Sequence, residues 1–352
     1  MNEKVFLTLS DGTVWPGKGH IDAPVEGEVV FTTASCGYPQ TLTDPSFNGQ
    51  IVVFAFPPIG IYGVDKDRLE GRRVWVNAAL ATYLDETEEG RFEPLSRWMK
   101  ENGRPFISDI DTRQLILKIR NVGAMMGRRD REPRTPESTE VPETVVSEVS
   151  CKSVESYGEG DVTIALMDYG VKENIIRCMV DRGCRVLRFP HNTAAEEVIA
   201  SGADGILLSN GPGNPACLVN EAREVSKLIG TKPLLGVCLG NQLLGLACGA
   251  KTKKLPFGHR GANQPVIEKS TGRGIITSQN HQYAVDGDTL GGTDLTVAYS
   301  HLGDGTVEGL KHKHFDALSV QFHPEASAGP EDASYIFDEY VVRVRAAKER
   351  TV

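Results

Sequence analysis

The chain has 352 residues, of which 40% are hydrophobic and 24% charged, with a net charge of −9. That is room for two ordinary domains and the composition of a soluble globular protein. The negative balance argues against a nucleic-acid polyanion as partner, and no run reaches the ~18 apolar residues of a membrane span. Seven irregularly spaced cysteines, behind a start with no basic and apolar leader, fit a reducing, cytoplasmic setting and not a disulfide framework.

Residues 1–126 read as a strand-rich α+β domain. Short β-prone runs in "EGEVVFTTASCGYPQTLTDP" and "GQIVVFAFPPIG" are broken by Gly, Pro and Asp turns. "PLSRWMKENG" and "TRQLILKIRNVG" predict two helices that each stop before a glycine. Residues 127–160 begin "GRRDREPRTPESTEVPETVVSEVS", hold few large apolar side chains, and predict a linker or mobile surface segment.

Residues 161–352 have a regular texture. The apolar runs "VTIALM", "RVLRF", "GILLS" and "PLLGV" read as buried strands. Between them "KENIIRCMVDRG", "AAEEVIASG" and "LVNEAREVSKLIG" read as helices. That alternation predicts βαβ units and an α/β domain with a mostly parallel central sheet. The Asp304-Gly305 turn adds some antiparallel pairing, and a last helix is expected at about 331–348. His312-Lys313-His314 reads as a solvated turn, and no cysteine or histidine spacing predicts a metal site.

Ligands of open α/β sheets bind beyond the carboxyl ends of the strands. Here those ends carry "DYG" (168–170), "SNGPGNP" (209–215), "CLGNQ" (238–242) and "FHPE" (322–325). "GVCLG" is a G-x-C-x-G elbow between a strand and a helix, the thiol version of a turn that lifts a nucleophile out of a sheet. Gly236 and Gly240 permit the bend. Cys238 falls at a helix N-terminus, where the dipole favours negative charge, and the Leu239 amide is placed to bind an oxyanion. Cys248 falls near the other end of that helix and reads as a small core residue.

A thiol nucleophile needs a base. His323 emerges just past the strand "ALSV", and Pro324 holds it extended. Glu325, two residues on, then points to the same side and can orient the imidazole. The predicted catalytic set is Cys238, His323 and Glu325. Gly211 and Gly213, held by Pro212 and Pro215, expose amides for the second half of an oxyanion hole or for a small polar substrate.

Together "GVCLGNQ", "FHPE" and "SNGPGNP" resemble the class I, or triad, glutamine amidotransferases, over about the second half of the chain. The resemblance implies that Cys238 attacks the side-chain amide of L-glutamine to give a γ-glutamyl thioester. It also implies that His323 hands a proton to departing ammonia and that water releases glutamate. In the first half, "GEVVFTTASCGYPQTLTDPSFNGQIVVFAFPPIGIYG" and "SDIDTRQL" look like the carbamoyl-phosphate synthase small-chain family. "GANQPV", "SQNHQYAV" and "HPEASAGP" look like that family's later signatures.

By position, this second resemblance places glutamine-binding residues at Ser46, Gly211, Gly213, Leu239, Gln242, Asn280, Gln282 and Tyr283. It implies a heterodimer with a carbamoyl-phosphate synthase large subunit. That subunit would use ammonia, bicarbonate and ATP, with magnesium, to make carbamoyl phosphate for arginine and pyrimidine biosynthesis. No cofactor is expected in this chain, and it holds no P-loop. Asn241 stands where many relatives have His, Gln282-Tyr283 where the family often has Gly-Phe, and "GYPQ" where GYQE is common.

Three other readings compete. A triad amidotransferase with another ammonia acceptor would lack this N-terminal domain. A non-catalytic regulatory paralogue would not need Cys238, His323 and Glu325 together. A papain-type thiol hydrolase would have no βαβ run ahead of its nucleophile.

Overall fold

The computed structural model describes residues 3–20, 23–85 and 92–350. They form two compact units, divided between Val145 and Val146.

The first unit is built on strands β1 (Glu3–Leu9), β2 (Val14–Gly19), β3 (Val25–Thr32), β4 (Gln50–Phe54), β6 (Ala78–Leu80), β8 (Phe106–Ser108) and β9 (Met125–Asp130), with β5 (Pro58–Ile59) and β7 (Tyr83–Leu84) as a separate pair. The seven close a barrel in the order β1-β2-β8-β6-β4-β3-β9. β4, "QIVVF", lies between parallel partners and is buried at every position, which is why its sequence is a continuous apolar run. Helices α1 (Tyr38–Thr43), α2 (Leu95–Glu101) and α3 (Thr112–Val122) complete the unit. α3 starts where the Asp111 carboxylate accepts the Gln114 amide at 3.0 Å and stops at Gly123, φ 97°, the glycine stop its sequence predicts.

The expected 127–160 linker is largely built into the units. Residues 127–130 finish β9, which pairs with both β1 and β3. The amides of Glu137 and Ser138 donate to the Glu26 carboxylate at 2.9 and 3.0 Å. A short helix, α4 (Val145–Val149), crosses the division. In the second unit Cys151 donates its amide to Asp168 Oδ2 at 2.7 Å, and β10 (Glu155–Tyr157) pairs with β12. Apolar burial is scarce in this stretch, as its composition requires. Backbone hydrogen bonds to the barrel, to carboxylates and to an edge strand supply the order instead.

In the second unit, β11 (Val162–Asp168), β12 (Cys184–Pro190), β13 (Gly205–Leu208), β14 (Leu234–Val237) and β19 (Ala317–Val320) form a parallel centre. β15 (Thr252–Glu268), β16 (Gly274–Val285), β17 (Leu295–His301) and β18 (Val307–His312) extend it antiparallel, giving the order β10-β12-β11-β13-β14-β19-β18-β17-β15-β16. Helices α5 (Glu173–Asp181), α6 (Ala195–Ala200), α7 (Val219–Leu228), α8 (Leu239–Ala247) and α9 (Tyr335–Glu349) cover the two faces. Alternate residues of β11 divide between two cores. Ile164 and Leu166 pack with Ile175 and Met179 of α5 and with Ile336 and Phe337 of α9. Ala165 and Met167 pack with Val198, Val225 and Leu243 of α6, α7 and α8. Burying each such aliphatic side chain contributes about 1.5–3 kcal/mol.

At residues 312–314 the solvated-turn expectation holds for two residues. Lys313 and His314 are exposed, but His312 is buried and its Nδ1 accepts the amides of His314 and Phe315 at 3.1 and 3.2 Å. Among the described residues no helix is long and apolar enough to cross a membrane.

Candidate active site

β14 is buried throughout and passes directly into α8. Sterics enforce the tight turn between them. A Cβ on Gly236 would stand 2.7 Å from the Gly240 carbonyl oxygen, and one on Gly240 would stand 2.3 Å from that of Leu208. Cys238 is left at φ 54°, ψ −100° as the residue capping α8. This is a strained conformation for a side-chain-bearing residue, sustained by the packing on either side. Its amide donates to Val320 at the end of β19, 2.8 Å away. The thiol is buried, 3.6 Å from the Asn280 carbonyl oxygen and 3.6 Å from the Gln321 side-chain nitrogen.

Next to the elbow lies the "SNGPGNP" loop. A Cβ on Gly211 would fall 2.1 Å from the Tyr169 carbonyl oxygen and 2.8 Å from Leu239 Cδ2, so only glycine fits and the two segments touch there. Gly213 takes φ +88°. Neither the Leu239 nor the Gly211 amide makes a hydrogen bond among the described residues. Two adjoining free amides at a helix N-terminus suit a developing oxyanion.

His323 follows β19 and is fixed by its amide bond to Ser278, 2.9 Å. Its Nδ1 lies 2.6 Å from Glu325 Oε1, and both side chains are buried. The carboxylate accepts a hydrogen bond from Nδ1–H, which leaves the buried Nε2 on the side of Cys238. Burial opposes a charge on this imidazole, yet Glu325 and Cys238 outweigh it and push His323 up to about 10. Burial likewise opposes ionisation of Glu325, and Lys172 and His323 together hold it down at about 2. The stable form is thus a buried imidazolium held against the Glu325 carboxylate.

Lys172 is a site residue that sequence reasoning passed over as a helix start. Its ammonium is buried, 3.0 Å from Glu325 Oε1 and 2.6 Å from the Ala326 carbonyl oxygen, and its amide donates to Asn210 Oδ1 at 3.0 Å. A lysine just ahead of a helix faces the wrong end of the dipole, and that mismatch is the signal it offered. Gln321 was also missed. It follows the end of β19 in "ALSVQF", and its Oε1 accepts from Asn241 Nδ2 and Gln242 Nε2, each at 3.1 Å, while its own nitrogen faces the thiol.

That network accounts for the polar pair after the elbow. Asn241 is fully buried and bridges two strand-end side chains, accepting from Ser319 Oγ at 2.8 Å and donating to Gln321. Gln242 donates to the Tyr283 carbonyl oxygen at 2.6 Å. Asn280 and Leu239 therefore adjoin Cys238, Gly211 packs on Leu239, and Gln242 in the first turn of α8 reaches Tyr283. Gln282 turns the other way: its side chain donates to the Leu255 carbonyl oxygen and accepts from Arg260 Nη2 at 2.9 Å. It sits within β16 without positive φ, so a residue other than glycine is unstrained there. Ser46 belongs to the first unit, where it is buried and its amide donates to Asp44 Oδ1 at 2.8 Å. Cys248 caps the far end of α8, its thiol pushed up to about 11 by burial.

Both parts of the chain resemble known proteins. Residues 165–342 match the family described as glutamine amidotransferase class-I, and residues 7–128 match the carbamoyl-phosphate synthase small chain, CPSase domain. The chain is 42% identical to the carbamoyl phosphate synthase pyrimidine-specific small chain of Halalkalibacterium halodurans, over 98% of each chain. It is 41% identical to the carbamoyl phosphate synthase small chain of Staphylococcus haemolyticus, over 99% of this chain and 98% of that one. To the same-named chain of Bacillus cereus it is 44% identical, over 97% and 96%. A glutamine amidotransferase domain behind a small-chain domain, matched to such relatives over nearly its whole length, means that the chain belongs to the carbamoyl-phosphate synthase small-chain family, the glutaminase subunits of that synthase.

Proposed function

We propose that the chain hydrolyses L-glutamine through a γ-glutamyl thioester on Cys238 and passes the ammonia to a large synthetase subunit. The observation that carries this reading is the 2.6 Å His323–Glu325 contact behind the Cys238 elbow, with Lys172 on the same carboxylate oxygen. Cys238 attacks the amide carbon, and the oxyanion forms beside the free amides of Leu239 and Gly211. His323 gives its Nε2 proton to the leaving nitrogen, and ammonia departs as the thioester forms. Neutral His323 then takes a proton from water. The hydroxide adds to the thioester, the thiolate leaves, and glutamate is released.

Glutamine is held by Gly211, Gly213, Leu239, Gln242, Asn280, Gln282 and Tyr283, with Gln282 acting through its backbone. Ser46 is assigned to glutamine by the family resemblance alone. The acceptor is a carbamoyl-phosphate synthase large subunit, where bicarbonate, ATP and magnesium complete carbamoyl phosphate for arginine and pyrimidine biosynthesis. This chain needs no cofactor for glutamine hydrolysis.

The test is glutamate release by the purified chain, alone and with a large subunit. Cys238→Ser abolishes it, Cys248→Ser does not, and the large subunit stimulates it. Equal loss in both cysteine variants overturns the nucleophile assignment, and turnover that no large subunit alters overturns the partner.

A further inference from the structure

Across the antiparallel pair β15 and β16, His259 and His281 stand directly opposite each other, between two register shifts. Glu308 of β18 reaches the same spot and is fully buried. His281 Nδ1 lies 2.8 Å from the Tyr283 carbonyl oxygen. A carbonyl only accepts, so Nδ1 carries the proton and Nε2 presents its lone pair. His259 Nε2 lies 2.9 Å from the Asp304 carboxylate, which leaves its Nδ1 lone pair facing inward in the same way. Both imidazoles thus have the outer partner, a backbone carbonyl or a carboxylate, that orients metal-ligating histidines.

Four lone-pair atoms converge. Gln279 Oε1 is 3.1 Å from His259 Nδ1 and 3.0 Å from His281 Nε2. Glu308 Oε1 is 3.4 Å from the first nitrogen and 3.8 Å from the second. That oxygen is buried and makes no hydrogen bond, while its twin Oε2 accepts from Gln279 Nε2 at 3.0 Å. Bonds of ~2.0–2.1 Å around a tetrahedral ion place neighbouring ligand atoms about 3.3–3.4 Å apart, close to the spacing seen here. Lone pairs at such distances repel, and a cation between them converts the repulsion into binding.

We propose that His259, His281, Glu308 and Gln279 form a tetrahedral site for a divalent transition-metal ion of the zinc class. Two imidazole nitrogens and two oxygens suit zinc over calcium or magnesium, which take more oxygen ligands at longer range or keep their waters. All four donors come from the protein, so the site is structural. It pins β15, β16 and β18 together one residue from Asn280, whose carbonyl meets the nucleophile.

The test uses the full chain, treated with a chelator and titrated with Co²⁺ and then Zn²⁺. One equivalent of Co²⁺ gives the intense visible absorption of a tetrahedral centre, and Zn²⁺ bleaches it. His259→Ala and Glu308→Gln each weaken binding by more than about 100-fold. Asp304→Asn, at an exposed carboxylate outside the ligand set, keeps the absorption but weakens binding roughly 10- to 100-fold. No visible absorption from a folded wild-type chain, or one equivalent bound undiminished by His259→Ala, overturns the site. The first result means that a proton on His259 balances the cluster.

Discussion

Glu325 Oε1 lies 2.6 Å from His323 Nδ1 and 3.0 Å from Lys172 Nζ, so a single carboxylate oxygen faces two cations inside the protein. The carboxylate between the two cations offsets the cost of burying them, and Asn174 and Lys172 also hold the backbone at Glu325 and Ala326. Removing one partner leaves the others uncompensated.

Lys172→Met therefore destabilises the chain by about 3–5 kcal/mol at neutral pH, the usual range for breaking a buried pair from one side. Denaturant unfolding measures that loss. Glutamine turnover falls with it, because the Glu325 carboxylate that orients His323 loses the ammonium that helps keep it ionised and in place. A variant as stable and active as wild type shows the ammonium to be dispensable.

The pH dependence follows from the same group. The His323 pKa is raised from an ordinary 6.5 to about 10, so the folded state holds its proton more tightly than the unfolded one. This contribution is complete below 6.5 and is lost as pH rises through about 10. Glu325 is depressed from 4.5 to about 2. Its contribution is complete above 4.5 and is lost as pH falls through about 2. In the proposed mechanism the imidazolium protonates the leaving amide nitrogen. Glutaminase kcat/KM thus falls on the alkaline side with an apparent midpoint near 10, belonging to the coupled imidazole and carboxylate. Glu325→Gln moves that midpoint to lower pH, and a midpoint unmoved by this change contradicts the assignment.

Asn241 supplies a third test. Asn241→Leu keeps the volume but strips Ser319 and Gln321 of a buried partner. A cost of about 1–3 kcal/mol is expected, along with a higher KM for glutamine, because Gln321 is released beside Cys238. Asn241→His retains a ring N–H for Gln321 and loses less on both measures. Thermal unfolding and steady-state kinetics of the two variants separate these effects.

Much of this was legible in the sequence. Period-two burial, glycine stops and the elbow spacing are local, and they placed β11 to β14, α8, the Cys238 elbow and the His323–Glu325 pair within a residue or two. Lys172, Gln321 and the partners of Asn241 were hidden because their roles depend on strands far apart in sequence: Gln321 lies 79 positions from Gln242. The 127–160 segment misled for a related reason. Low apolar content reports what a stretch cannot bury, and says nothing of the strand edge or carboxylate that captures its backbone. His259, Gln279, His281 and Glu308 have no ligand spacing at all, and only sheet register brings them together.

The elbow itself is open to a paired test on two glycines at opposite ends of α8. In Gly240→Ala the new methyl would stand 2.3 Å from the Leu208 carbonyl oxygen, a backbone atom that cannot swing aside. The helix start must move, and Cys238, held two residues earlier by Val320, must move or strain with it. Overpacking of this kind costs about 1–3 kcal/mol, and glutamate release falls because the thiol no longer meets His323. Gly249 has φ +89°, and a methyl added there would meet nothing within 4 Å, so Gly249→Ala incurs only the left-handed penalty of about 1–2 kcal/mol. That variant loses comparable stability and keeps its activity. Equal activity loss in the two, tied to their stability alone, would show that the elbow's shape is not what positions the nucleophile.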